Sequence, residues 1–263
     1  MSGLEGQIVV ITGGETGIGR STVELLAERG AVVIIGGVLD DEGAATAKAV
    51  TENGGVAEYV RTDVRYLDQI EALVDGVIAR HGKIDALINN AAVFDGFVNI
   101  LETTDGLWDQ IMNVNLRGPF WASRAVIPHM LKAGKGKIIN TSSIGGIAGY
   151  ADGPAYTASK HGLIGLTKQI ACEYASKGIA INAVCPGAIE TNVRGNSAKL
   201  LGENAPAKMG GAGSDNSWLS RVVPANRKGK PEEIAELIAF LVSEAASYIN
   251  GQSFVIDGGW TAK

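Results

Sequence analysis

The stretch Ile8-Val9-Val10-Ile11-Thr12-Gly13-Gly14-Glu15-Thr16-Gly17-Ile18-Gly19 decides the fold. A β-branched run with no polar alternation reads as a strand covered on both faces, the condition of a parallel sheet. It breaks into a glycine loop, and a helical pattern follows from Ile18. Glycines let the backbone approach a ligand closely. The helix behind them supplies N–H groups and the positive end of its dipole to a phosphate. The spacing over Gly13, Gly17 and Gly19 is Gly-x-x-x-Gly-x-Gly. It is neither Gly-x-Gly-x-x-Gly nor the phosphate loop that ends Gly-Lys-Ser/Thr. Its place, after a first strand and opening a helix, gives it meaning.

The rest of the chain repeats that rhythm. Candidate strands run over Gln7–Ile11, Val32–Ile35, Val56–Arg61, Ala86–Asn89, Lys137–Thr141, Ala180–Val184 and Ser253–Ile256. Candidate helices lie between them: Ile18–Arg29, Glu42–Asn53, Leu67–His81, Gly106–Lys132, Pro154–Lys177 and Pro231–Ser243. In Leu67–His81, residues Ile70, Leu73, Val74, Val77 and Ile78 fall at three- and four-residue steps, one face of a helix. The alternation predicts an α/β fold: a doubly wound, Rossmann-type sheet of about seven parallel strands with helices on both faces. No linker or repeat divides residues 1–263, so a single domain is expected. Asn192–Lys230 breaks the rhythm. It is rich in Gly, Ala, Ser and Asn, with Leu200, Leu201, Met209, Trp218 and Leu219 spaced through it. Because it follows a strand's carboxyl end, it reads as a lid, a substrate loop at about 190–230. The plain alternative is a mobile insertion.

Of the 263 residues, 46% are hydrophobic and 19% charged, which suits a sizeable core and excludes a disordered chain. The net charge of −5 argues against a nucleic-acid surface, which needs clustered Lys and Arg, and against a basic membrane-surface protein. No apolar run reaches the roughly 18 residues of a membrane span. The N-terminus has no basic segment and too short an apolar run for a secretory signal. Cys172 and Cys185 are too few for a disulfide framework and read as small core residues. The three histidines, His81, His129 and His161, lack ligand spacing, so no metal site is expected. A reduced, cytoplasmic setting follows as the expectation. Glycine is unusually frequent, 36 residues placed at the ends of apolar runs, where turns and close approaches need it.

Tyr156 and Lys160 lie four apart, on one face of the helix that begins near Pro154. A free tyrosine has a pKa of about 10, and a nearby ammonium lowers it by favouring the phenolate. Such a pair moves protons near neutral pH, as transfer to or from an alcohol oxygen requires. On a solvated helix the same spacing carries no chemistry, so its neighbours matter. Ser143 follows the fifth strand at a carboxyl end, where its hydroxyl can bind a substrate oxygen. Asn115 lies four residues before Pro119, which has no N–H. The Asn115 carbonyl therefore loses its helical partner and is free to hold a water that contacts the lysine.

Gly13, Gly17, Gly19, Asn115, Ser143, Tyr156 and Lys160 together resemble the short-chain dehydrogenase/reductase family, in its compact branch. Further matches are Asp63-Val64 after strand three, Asn89-Asn90-Ala91-Ala92 after strand four, Pro186-Gly187 and Thr191 after strand six, and Asp257-Gly258-Gly259 near the end. The resemblance covers essentially the whole chain. It implies a nicotinamide cofactor, NAD or NADP, and a catalytic set of Asn115, Ser143, Tyr156 and Lys160. On that pattern Tyr156 is the general acid/base and Ser143 orients the substrate oxygen. Lys160 lowers the tyrosine pKa and binds the nicotinamide ribose, and Asn115 keeps a relay water. Ser142 is adjacent, but the thirteen-residue distance to Tyr156 favours Ser143. Gly13, Thr16, Gly17, Ile18 and Gly19 would cradle the phosphates. Asp63 and Val64 would meet the adenine, Asn89 the cofactor-side backbone, and Thr191 the carboxamide. Gly37, Ala91, Pro186, Gly187 and Ile189 complete the implied cofactor set.

Two positions depart from the family pattern. Ala92 stands where Gly is usual, and its methyl either narrows the cleft or is tolerated. Gly37, just past strand two, stands where NAD-dependent members often place an acid for the ribose hydroxyls, while NADP-dependent members offer an arginine nearby. Thr16 in the loop and Gly37-Val38-Leu39 carry neither signature. Gly37 leaves space for a 2′-phosphate. Yet no arginine follows it, Glu15, Asp40 and Asp41 lie close in sequence, and a phosphate without a cation is costly. NAD is the expected cofactor, discriminated weakly from NADP, and Gly37→Asp is expected to sharpen the preference. Arg20 and Arg61 are the cations to examine if NADP is preferred.

The resemblance thus implies an NAD(P)-dependent oxidoreductase, an alcohol dehydrogenase or carbonyl reductase, interconverting a secondary alcohol and a ketone. The alternative of another class is a non-catalytic dinucleotide-binding regulatory protein, which does not need the proton-transfer set. An enoyl reductase is disfavoured because those members space the tyrosine and lysine more widely. The expected pocket lining, Val93, Phe94, Ile144, Tyr150, Ala188 and the long loop, is largely apolar with no obvious cation. That favours a small neutral carbonyl or alcohol over a carboxylate, a phosphate or an acyl carrier. A homotetramer is expected, since the family commonly assembles through its two long helices and C-terminal segment. Gly162, Leu163, Gly165 and Leu166, with the apolar Phe254–Trp260 segment, are the surfaces for it. No nucleic-acid or membrane partner is expected.

Overall fold

The structure, a computed structural model, describes residues 3–149, 151–210 and 216–262. Tyr150 and the Trp218 side chain, both named above, lie outside the described residues. Seven strands form one parallel sheet: β1 Ile8–Thr12, β2 Val32–Gly37, β3 Val56–Arg61, β4 Ala86–Asn89, β5 Gly136–Thr141, β6 Ile179–Pro186 and β7 Ser253–Ile256. The helices are α1 Gly17–Glu28, α2 Asp40–Glu52, α3 Leu67–His81, α4 Asp105–Met112, α5 Gly118–Ala133, α6 Pro154–Tyr174, α7 Val193–Leu201, α8 Asn216–Val222 and α9 Pro231–Val242.

The strand order is β3-β2-β1-β4-β5-β6-β7. Side chains of β1 explain why it reads as apolar on both faces. Ile8 and Val10 join a core layer with α3, α4, α5 and α6, while Val9 and Ile11 join the opposite layer with α1, α2 and α9. The strand is therefore covered twice, as its composition predicts. The chain leaves β1 toward β2 on one side and returns to β4 on the other. That reversal opens a crevice beyond the carboxyl ends of β1 and β4, where ligands bind in sheets of this kind. The glycine loop occupies its edge.

The structure corrects three expectations. The helix expected over Gly106–Lys132 is interrupted. Thr104 caps α4 by accepting from the Leu107 N–H at 3.2 Å, and Asn113–Arg117 then widens into a π turn. The Gly118 N–H bonds the Asn113 carbonyl, five residues back. Pro119, lacking an N–H, breaks the ordinary ladder at this point. Second, Asn192–Lys230 is not a bare loop. It contains α7 and α8, whose pattern is diluted by Gly195, Asn196 and Lys199. Asn196 Nδ2 donates to Thr16 Oγ1 at 3.1 Å, and the Phe94 N–H donates to Ser197 Oγ at 2.9 Å. These bonds dock α7 on the glycine loop and on the loop after β4. Third, Cys185 is buried, but Cys172 is exposed on α6. Among the described residues, no helix is long and apolar enough to cross a membrane.

Candidate active site

The glycine loop packs against the segment after β4 with no room for side chains. Gly13 has φ +68°, which favours glycine, and a Cβ there would lie 2.7 Å from Ala91 Cα. A Cβ on Gly19 would overlap the Gly13 carbonyl oxygen. Asn90 Nδ2 donates to that same oxygen at 2.7 Å. Thr12 Oγ1 accepts from the Asn90 and Ala91 N–H groups, both at 3.2 Å. No side chain caps α1 at Thr16, so its first N–H groups stay available to an anion. A cradle that a Cβ would fill, opening onto an uncapped helix, fits a dinucleotide phosphate. Thr16, Gly17, Ile18, Asp63, Val64 and Ala91 line the same cleft. So do Ala92, Pro186, Gly187, Ile189 and Thr191.

Asn89 does not line it. Its Nδ2 donates to Asn140 Oδ1 at 2.8 Å, and Asn140 Nδ2 donates in turn to Thr167 Oγ1 at 2.9 Å, a buried polar ladder joining β4, β5 and α6. The neighbouring Asn90 faces the cleft instead, as the alternation of side chains along a strand dictates. Asp63 lines the cleft, but its carboxylate is held by Arg65, whose Nη2 donates at 2.6 Å.

At the other end, the catalytic candidates meet. Ser143 Oγ accepts from the Gly145 N–H at 3.0 Å and lies 3.4 Å from Asp152 Oδ2. The Tyr156 ring packs edge-on to Phe94, centroids 5.3 Å apart. Lys160, 2% exposed, donates from Nζ to the Thr141 carbonyl at 2.7 Å, and that Nζ lies 5.4 Å from the Tyr156 ring centroid. Burial pulls the ammonium down to about 8. Burial also pushes the Tyr156 phenol up, Asp152 adds to this, and the Ser143 hydroxyl opposes it. Asn115 is fully buried, and its side chain clamps Val93. Oδ1 accepts from the Val93 N–H and Nδ2 donates to the Val93 carbonyl, both at 2.9 Å. Nδ2 also reaches Ser159 Oγ at 3.3 Å. Asn115 therefore ties the loop after β4 to α6 from behind the cleft.

The expectation of a pocket without an obvious cation needs correcting. Val93, Phe94, Ile144 and Ala188 line it, but so do Asp152 and Arg194. Their sequence context, Gly-Tyr-Ala-Asp-Gly and Asn-Val-Arg-Gly, reads as turn and surface, so neither signalled itself. Arg194 Nε donates to the Gly210 carbonyl at 3.1 Å, and its guanidinium stacks 6.0 Å from the Phe94 centroid. Asp95, fully buried, accepts from the Gly153 and Tyr156 N–H groups and so fixes the first turn of α6. Burial, with Asp95 adding to it, pushes the Asp152 carboxyl up to about 7. An unfolded Asp titrates near 3.9. The raised value means Asp152 supports the fold fully below about pH 4, and that support is lost as pH rises through 7. Asp152→Asn, which mimics the neutral carboxyl, is expected to lack this loss. Urea midpoints of the two proteins should diverge between about pH 4 and 7 and run parallel above about 8. Parallel profiles throughout would contradict the assignment.

The notion that Gly37 leaves space also needs correcting. Glu15, 4% exposed, turns its carboxylate to the end of β2, and a Cβ on Gly37 would overlap Glu15 Oε1. Oε1 accepts from the Val38 N–H at 2.8 Å and the Leu39 N–H at 3.2 Å. Burial pushes this carboxyl up, and the amide bonds pull it back.

Comparison with known proteins agrees with the geometry. Residues 13–261 match the family model described as enoyl-(acyl carrier protein) reductase. The chain is 38% identical over 260 residues to 3beta-hydroxysteroid dehydrogenase 2 of Eggerthella lenta, covering 98% of this chain and 96% of that one. It is 39% identical over 257 residues to the 3-oxoacyl-(acyl-carrier-protein) reductase FabG of Thermotoga maritima, covering 97% and 98%. The crystal structure of levodione reductase superposes with a TM-score of 0.88 at 36% identity, covering 98% of this chain and 99% of that one. Whole-length matches of this kind, on a site of this shape, leave one conclusion: the chain belongs to the short-chain dehydrogenase/reductase family of oxidoreductases.

Proposed function

We propose that the chain interconverts a secondary alcohol and a ketone, with NAD(P) as hydride partner and Tyr156 as general acid/base. One observation carries this reading: Ser143, Tyr156 and Lys160 converge in the cleft whose far end is the glycine cradle. A nicotinamide bound there supplies or accepts the hydride. The first N–H groups of α1 would hold its phosphates, Lys160 Nζ the ribose beside it, and Thr191 the carboxamide. Ser143 donates to the substrate oxygen. The Tyr156 hydroxyl gives its proton to that oxygen in reduction and takes it back in oxidation. Lys160, a buried ammonium, compensates the phenolate as it forms. Asn115, seated on the Val93 backbone, keeps the relay water near Lys160.

The relatives act by name on a 3beta-hydroxysteroid, a 3-oxoacyl-(acyl-carrier-protein) and levodione. Asp152 and Arg194 on the wall remove the ground for restricting this chain to neutral substrates. The test is a panel of secondary alcohols, ketones and 3-oxoacyl thioesters, followed by nicotinamide absorbance. Turnover of none, with NADH bound tightly, would favour the regulatory-protein alternative.

The homotetramer remains part of this reading, with its surfaces redrawn. Leu163 is core, and Gly162 packs on Leu116. Gly165 meets nothing within 4 Å, and Phe120 on α5 and Val255 on β7 are exposed. Small and apolar surface on α5, α6 and β7 suits association of copies. Light scattering at micromolar concentration should return four times the chain mass, and a monomer would refute it.

A further inference from the structure

In dinucleotide-binding folds, the position about 20 residues after the glycine loop meets the adenosine ribose. In this chain that position is Gly37, and its side-chain space is filled by the carboxylate of Glu15. Glu15 lies in the glycine loop itself, yet it crosses to the end of β2 and is fixed there by the Val38 and Leu39 amides. The loop and the end of β2 belong to one cleft wall: Glu15, Gly37, Val38 and Leu39 all line it. We infer that Glu15 is the residue that reads the adenosine ribose, accepting from its hydroxyls and excluding a 2′-phosphate, so that the enzyme selects NAD. The inference rests on the oxidoreductase reading above and adds the residue that sets its cofactor.

The neighbouring charges agree. A 2′-phosphate needs a cation, and the arginines near this wall are engaged. Arg61 pairs with Asp40 and reaches the Val38 carbonyl at 3.3 Å. Arg20 pairs with Glu24 at 2.8 Å. Arg65 is held by Asp63 and by Gln110 at 3.1 Å. Asp40 also accepts from the Tyr59 hydroxyl, whose ring packs on Gly43. The wall is thus braced around a carboxylate, with no side chain at 37 to displace it. Gly37→Asp, once expected to supply the missing acid, would instead drive a second carboxylate into the first.

Fluorescence titration of the purified chain with NADH and NADPH tests this without turnover. Wild type should bind NADH at least tenfold tighter, a difference of about 1.4 kcal/mol. Glu15→Gln keeps the shape and the acceptor for the amides but removes the charge. It should cut the preference at least tenfold, mainly by tightening NADPH. Glu15→Ser, which empties the space, should do the same or more. Equal weakening of both nucleotides in both variants would mean Glu15 only holds the β2 end, and would overturn the inference. Wild type binding NADPH as well as NADH would overturn it too, leaving the oxidoreductase reading intact. Binding of neither nucleotide would overturn both.

Discussion

Tyr156→Phe should lower kcat by two to four orders of magnitude while NADH affinity stays within about threefold of wild type. The substitution removes one oxygen and no carbon. The ring keeps its edge-on contact with Phe94 and its place on α6, whose first turn is fixed by Asp95 through the Tyr156 backbone N–H. What disappears is the proton donor. General acid/base catalysis contributes roughly 10²–10⁴-fold. Burial and Asp152 favour the protonated phenol and the Ser143 hydroxyl opposes them, so giving the proton up depends on the Lys160 ammonium compensating the phenolate as it forms. The measurement is steady-state turnover of any substrate found in the panel, paired with NADH titration. Near-normal turnover would remove Tyr156 from the mechanism. Loss of NADH binding alongside turnover would show instead that the hydroxyl serves the cofactor.

The fold was legible because its determinants are local. β1 is apolar on both faces and runs into a glycine loop, and the three-four periodicity of α3 ends at Gly82, where φ is +74°. That Ser143, Tyr156 and Lys160 line one cleft was legible less from the four-residue spacing, which carries no chemistry by itself, than from the family resemblance that joins them. What stayed hidden depends on contacts distant in sequence. Glu15 matters because of Gly37, 22 positions on, and nothing between them announces the pairing. Asp152 reads as a turn residue until the fold sets it beside Ser143 and Asp95. Asn89 and Asn90 are adjacent and alike in chemistry, and only the strand's phase separates ladder from cleft. Pro119 did signal a break, but a missing N–H does not by itself specify the response, a π turn over Asn113–Arg117 between α4 and α5.

Gly19→Ala should weaken NADH binding at least a hundredfold, although it adds a single methyl. Gly19 sits in the first turn of α1, and its Cβ would overlap the Gly13 carbonyl oxygen and come within 2.6 Å of Asn90 Nδ2. Neither neighbour can yield. Gly13 is pressed on the Ala91 backbone, and Asn90 is held by its bond to the Gly13 carbonyl. The methyl is therefore accommodated only by moving α1 off the loop, which turns its first N–H groups away from the phosphates they must meet. Overpacking alone costs about 1–3 kcal/mol, a fall of several degrees in Tm for a chain of this size. The binding loss comes on top, because anion recognition at a helix N-terminus depends on the aim of those donors. Gly76→Ala is the control. It lies inside α3, and its Cβ would meet only the flexible tip of Arg80, at 3.1 Å. Helix propensity predicts a gain of roughly 0.8–1 kcal/mol there, with NADH affinity unchanged. The same chemical change is thus expected to stabilise in one helix and to abolish function in the other. If Gly19→Ala bound NADH as wild type does, the cradle between β1 and α1 would not be the phosphate site.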